Sequence, residues 1–343
     1  MMLKLWKRHC LSRNDSSENG ERDRLSGPSR RRADWPAREP DALNGLGLRR
    51  KVCSARRRTR HVLWLAICWM ASPAAVAQHA HIYAGAVGKT PGAPLWFQNG
   101  HLWDTNSYGG YAQSPACIYF EDNGPTVYPG LYQTVTTFSA LPATIFKGGP
   151  SPNAASLGTF IELKFDSLQG PTGGALTVWN EMDDPDHPSA ILTIPAGTTN
   201  GTNRINLSEG DPFDPSTDPY GHIHGRRFTL SKPGLYTLGL QLVDTSNNGP
   251  NGGPIQSPSV VTYFYLQAGL SLSNYSRSNH VAVARFGLAG LKDYVFEASS
   301  ALPGTNWVTV QSIAGTSHGE LRWVQDTNAT SLNRFYRIRK MTD

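Results

Sequence analysis

The sequence predicts an all-β protein: an antiparallel β-sandwich over residues 78–267 and a second, smaller β-sandwich over residues 268–343, behind a disordered basic N-terminal leader. Two observations predict it. From Gln78 onward, short runs rich in aromatic and β-branched residues alternate with clusters of Gly, Pro, Asn and Asp, and no long stretch carries the helical period. Within residues 235–243, Tyr236, Leu238, Leu240 and Leu242 fall on every second position. In an extended chain that spacing puts all four on one face, the pattern of a half-buried antiparallel strand.

Residues 1–60 are rich in Arg, Ser and Pro and lack hydrophobic periodicity, a composition that cannot build a core and predicts disorder. A basic run at 56–60, an apolar run at 62–70 and the small residues Ala75-Val-Ala77 form the three parts of an export signal, assigned to 61–77. The apolar run is too short to span a membrane. The mature chain is then expected to begin near Gln78, to contain no transmembrane helix, and to be secreted, periplasmic or held at the cell surface. Strands are predicted at 81–87, 116–120, 159–165, 175–179, 227–230, 235–243 and 260–266, with Pro233-Gly234 turning the chain before the sixth. Asn247-Asn-Gly-Pro-Asn-Gly-Gly-Pro254 is built from turn formers and predicts an exposed loop. Past Ala268, strands at 281–286, 294–298, 307–313, 320–324 and 335–338 follow at the spacing of a small sandwich.

Removal of the leader reverses the charge. The chain has 32 Lys plus Arg and 26 Asp plus Glu, net +6, but 17 of the cations and 7 of the acids lie in residues 1–77, leaving 15 against 19, net −4. The basic balance therefore belongs to the leader, and nucleic-acid binding is not expected. Cys10, Cys53 and Cys68 also fall there, so Cys117 alone remains and no disulfide framework supports the mature fold. In Ala-Cys-Ile-Tyr-Phe it reads as a buried small apolar residue.

Two His-x-His pairs bracket the larger predicted domain: His79 and His81 in Gln78-His-Ala-His-Ile-Tyr, and His222 and His224 in Tyr220-Gly-His-Ile-His-Gly. In a strand, residues two apart share a face, so each pair offers two imidazoles to one partner. Imidazoles suit zinc and copper, and zinc is the first expectation, copper the second; four nitrogens complete a tetrahedral zinc site, whereas three plus water leave an open position. His101 and Asp104 in Gly-His-Leu-Trp-Asp are further candidates, His101 as a fourth or replacement ligand and Asp104 as a carboxylate that orients an imidazole. Asp218 is a candidate for the same orienting role. The competing readings are solvated strand-end histidines, a loop His with a turn Asp, and an Asp-Pro turn. Glu181, Asp183, Asp184 and Asp186 crowd one loop without the ligand spacing of a calcium site, and read as a solvated acidic loop.

Asp218-Pro-Tyr-Gly-His-Ile-His-Gly-Arg-Arg-Phe-Thr, followed by Lys232-Pro-Gly-Leu-Tyr-Thr, resembles the zinc-repressed secreted bacterial proteins that usually carry a PEP-CTERM sorting tail. More distantly it resembles the surface-anchored protein repeat, in which a His-x-His strand precedes Phe-Thr and Pro-Gly-x-Tyr. The resemblance implies an exported β-sandwich linked to metal acquisition, with His222 and His224 carried over and His79 and His81 matching the histidine-bearing opening. Arg226 and Arg227 depart from the repeat, where aromatic or small residues are usual, and no PEP-CTERM tail follows Ile338. Tyr294-Val-Phe-Glu-Ala-Ser, Asn306-Trp-Val-Thr-Val and Arg334-Phe-Tyr-Arg-Ile-Arg339 resemble the C-terminal β-sandwich modules that close many large bacterial secreted proteins, which implies an accessory or anchoring role.

No nucleophile elbow, phosphate-binding glycine loop or His-Glu-x-x-His helix occurs. A copper-binding N-terminal histidine brace requires His at the first mature position, where cleavage after Ala77 leaves Gln78. The expectation is a non-enzymatic metal-binding protein whose partners are a transition-metal ion and the cell envelope or a metal transporter. The alternative is a carbohydrate or cell-envelope adhesion module.

Overall fold

The alternation that predicts strands also sorts side chains between core and surface. The computed structural model describes residues 81–104, 107–108, 114–122, 124, 127–182, 184–223, 226–304, 306–331 and 333–341. The segments read from the sequence as leader and export signal lie outside these. Within them the strands are β1 (His81–Ala86), β2 (Leu95–Phe97), β3 (Cys117–Phe120), β4 (Tyr132–Thr134), β5 (Thr137–Ala140), β6 (Ile161–Gln169), β7 (Ala175–Asn180), β8 (Ser189–Pro195), β9 (Arg204–Asn206), β10 (Gly221–His222), β11 (Arg226–Leu230), β12 (Gly234–Asp244) and β13 (Thr262–Ala268). They continue as β14 (Ser273–Ser278), β15 (Val281–Leu288), β16 (Tyr294–Ser299), β17 (Val308–Ile313), β18 (Glu320–Asp326) and β19 (Phe335–Lys340). The only helical elements among the described residues are two short 3-10 turns, and no helix there is long and apolar enough to cross a membrane.

Three sheets enclose the larger core, with strand orders β10-β5-β1-β2, β4-β11-β7-β8 and β3-β13-β12-β6-β9. Tyr236, Leu238, Leu240 and Leu242 of β12 all point inward, as their spacing predicts. Across the layers, the Phe264 ring of β13 meets Phe97 edge-on at 5.3 Å and Phe138 at 6.3 Å. Full burial of each such side chain contributes roughly 1.5–3 kcal/mol. Two three-stranded sheets, β14-β15-β18 and β17-β16-β19, surround a second, smaller cluster that includes Phe286, Leu288, Phe296 and Ile338. At the seam, Cys117 N–H donates to the Gly319 carbonyl at 2.9 Å, and the buried Gln267 side chain accepts from Gly287 N–H at 2.9 Å. Cys117 is buried, and burial pushes its thiol well above the ordinary range, which makes it a packing residue.

The all-β class and the predicted strands are present, with two refinements. β1 pairs with β5, and β13 with β3, in parallel, so the sheets are mixed where purely antiparallel pairing is expected. The strands absent from the prediction, β2, β4, β5, β8, β9, β10 and β14, are mostly two to four residues long, too short to establish a period. β8 and β14 are longer but present mainly exposed or half-exposed residues, which removes the apolar alternation that marks a strand.

Candidate functional site

The sheet β10-β5-β1-β2 carries the histidines. β1 runs along one edge of β5, with His81 opposite Thr137 and Tyr83 opposite Ser139; β10 runs along the other, with His222 also opposite Ser139. One strand therefore separates the two histidine-bearing segments. Ile82, Phe138 and Ala140 point into the core, so the alternating residues His81, Tyr83, Thr137, Ser139 and His222 share the opposite face. His222 is therefore level with Tyr83, two residues along the sheet from His81, and the antiparallel β10 runs from there toward the end at which β1 begins. His81 stacks on Tyr83, ring centroids 6.0 Å apart and planes 18° from parallel. His79 and His224 lie outside the described residues.

His101 lies close to the same end. Leaving β2, Gln98 N–H donates to the Tyr83 carbonyl at 2.8 Å, and the Asn99 side chain donates to the His81 carbonyl at 2.8 Å while accepting from Tyr83 N–H at 3.2 Å. Two residues later His101 sits, half-buried, in the 3-10 turn Gly100–Leu102. Asp104 is buried at the end of that turn and accepts from Ser107 N–H at 3.1 Å, the Ser107 hydroxyl at 2.8 Å and Tyr263 N–H at 3.0 Å. Its carboxylate ties the turn to β13. Asp218 accepts from Ala143 N–H at 3.0 Å, Thr144 N–H at 2.7 Å and Tyr220 N–H at 2.9 Å. Burial opposes its ionisation, but hydrogen bonds from Thr144, Ala143 and Tyr220 outweigh that and hold the carboxyl below its ordinary value. Its hydrogen bonds go to the backbone at the entrance to β10 rather than to an imidazole: it fixes the turn that delivers His222.

A group that the motifs do not disclose also faces His222. Glu209 Oε1 lies 3.1 Å from His222 Nδ1. The approach depends on Gly221, where an added Cβ would stand 2.0 Å from the Leu207 carbonyl oxygen and 2.8 Å from Glu209 N. Only glycine lets the 207–209 segment pass this close to β10. Nothing in the spacing of Glu209 from the His-x-His pair announces the contact.

The acidic loop resolves into local turn chemistry. Glu181 accepts from the Tyr128 hydroxyl at 2.8 Å and from Arg227 at 3.1 Å, and Asp184 accepts from the N–H groups of Asp186 and His187. Phe97 and Trp103 are core residues. No group of three or more His, Cys, Asp or Glu side chains placed to hold one ion occurs among the described residues. Compared with known proteins, the chain matches no family model and no curated protein.

Proposed function

We propose that this end of the sheet binds a transition-metal ion, zinc before copper, and that the protein is an exported, non-enzymatic metal-binding protein serving metal acquisition or storage. The observation that supports the reading is the register around β5, which sets His81 and His222 on one face, offset by two residues, although they are remote in the chain. Two strand spacings separate β1 from β10 by roughly 10 Å. Between them β5 presents only the short side chains of Thr137 and Ser139, which project less far from the sheet than an imidazole. In the sequence His79 and His224 stand two residues from His81 and His222, and His101 is the replacement ligand. All donors are imidazoles, which suits a borderline ion in a site without thiolate.

The test is the zinc content and zinc affinity of the purified full chain. About one equivalent per chain is expected, as one tetrahedral site requires, and His81→Ala with His222→Ala should abolish it while leaving the amide spectrum of a folded β protein. Absence of zinc in the parent chain, or full retention by the double variant, overturns the reading. Glycan binding that survives in the metal-free double variant favours the adhesion alternative.

A further inference from the structure

We propose that the seam between the two sandwiches binds an acidic polysaccharide: Arg285 receives a uronate carboxylate, and Trp323, Tyr265 and Tyr263 form the platform for the sugar rings. The site is separate from the metal reading, since none of these residues lies on the histidine-bearing sheet.

Arginine usage in the smaller sandwich carries the argument. Residues 268–343 hold six arginines. Arg322 pairs with Glu320, Arg334 with Asp326, and Arg337 and Arg339 with Glu297, while Arg277 donates to the Ala329 and Ser331 carbonyls. Arg285 alone has neither an ion pair nor a hydrogen bond among the described residues, and its Nε is shielded from solvent. What holds it is aromatic. Its guanidinium carbon lies 4.7 Å from the Trp323 ring centroid and 5.5 Å from that of Tyr265. Stacking engages the flat face of a guanidinium and leaves the in-plane N–H fork, which a carboxylate takes in bidentate fashion. An anion there supplies the acceptor that the protein does not.

The row is fixed in place by the seam. Gly287, two residues from Arg285, donates its N–H to the side chain of Gln267, two residues from Tyr265, at 2.9 Å. Leu321, two residues from Trp323, donates to the Pro115 carbonyl at 2.9 Å. A Cβ at Gly287 would stand 2.4 Å from Cys117 Sγ and 2.7 Å from Gln267 Cβ, so glycine is what lets β15 dock this closely. Trp323 lies opposite Arg285 in the β15–β18 register, and Tyr263 shares a face of β13 with Tyr265. Trp323 is 55% and Tyr263 40% exposed. The larger sandwich, residues 78–267, carries 7 Lys plus Arg against 14 Asp plus Glu, net −7, whereas residues 268–343 carry 8 against 5, net +3. The smaller sandwich therefore draws anions to the seam. A uronate residue joins a carboxylate to a ring whose C–H face lies flat on an aromatic side chain, which an acidic peptide does not.

The experiment is titration of the full chain, without added metal, with polygalacturonate, its methyl-esterified form and poly-L-glutamate. The parent is expected to bind polygalacturonate and to lose about 10–100-fold on esterification of the polymer or in Arg285→Met, whose unbranched side chain keeps the packing against the rings without the charge. Trp323→Ala, at an exposed position, should cost about 2–10-fold and leave the urea midpoint near that of the parent. A parent that does not bind polygalacturonate, or equal binding by Arg285→Met, overturns the proposal. Equal binding of poly-L-glutamate that Trp323→Ala does not weaken makes this an acidic-peptide site and overturns the glycan assignment. Uronate binding by a chain that takes no zinc overturns the metal reading alone, and zinc binding without uronate binding overturns this proposal alone.

Discussion

Around the larger core, the acids Asp104, Asp218 and Asp244 accept hydrogen bonds from backbone N–H groups remote in the chain, whereas around the smaller core Glu297, Glu320 and Asp326 face arginines. Asp244 is the clearest of the first kind. Buried at the end of β12, it accepts from Phe160 at 3.1 Å, Ser246 at 2.9 Å, and Ile255 and Gln256 at 2.8 Å each. It thereby closes the base of the Gly/Pro/Asn-rich loop that follows. In the second kind, Glu297 takes Arg337 at 2.7 Å and Arg339 at 3.1 Å, and Arg337 lies over the Trp307 ring at 4.2 Å. The difference follows from loop length. Long irregular connections leave backbone donors that a buried carboxylate can gather. Short hairpins leave few, so there the acids pair with arginines, across strands in the case of Glu297, and Arg337 covers aromatic surface.

The comparison can be tested by substitutions that act on one region at a time. The largest effect is expected in the larger core, where Phe264→Ala should cost about 4 kcal/mol; Ile338→Ala in the smaller core should cost about 2–3 kcal/mol. Urea midpoints measure both, and equal losses would show that the two cores are equally demanding. Next comes Asp244→Ala, which strands buried N–H donors and should cost about 3 kcal/mol, with added hydrogen exchange at Ile255 and Gln256. Unchanged exchange there would remove its role as a loop staple.

The smallest effect is the acid response of the smaller region. Burial alone would raise the Glu297 carboxyl, but Arg339 and Arg337 outweigh it and hold it below 4.5; Asn328 N–H, Arg334 and Tyr336 do the same for Asp326, ordinarily 3.8. Because these values are depressed by folding, the stability they contribute is complete above 4.5 and 3.8 and is lost as the pH falls through the folded values. Glu297→Gln should therefore lower the melting temperature at neutral pH and flatten its decline below about pH 4.5. A parallel downward shift at every pH would rule out the linkage. The exposed arginine ends keep the effect modest.

Much of the fold was legible in the chain. The alternation in β12 predicted its buried face, and β-branched and aromatic runs located most of the longer strands. Less of the site was legible. Two-residue spacing singled out the segments of His81 and His222, but β10, which carries His222, and β5, which lies between it and β1, are two and four residues long and were not predicted. Asp104 and Asp218 were recognised as potential acceptors, yet their partners, Tyr263 N–H and the 143–144 backbone, are contacts that only closure of the loops creates. Glu209 gave no local sign at all.

Local periodicity by itself determined that this protein is built of strands and which faces of the long strands are apolar, because side-chain direction in an extended chain depends only on residue parity. Tertiary structure decided that β1 and β10 meet on opposite edges of β5, and that Gly221 lets a carboxylate reach His222. Those outcomes depend on which remote strands pair, in which direction and register, and that choice is set by non-local packing and loop closure, to which parity along one segment is blind.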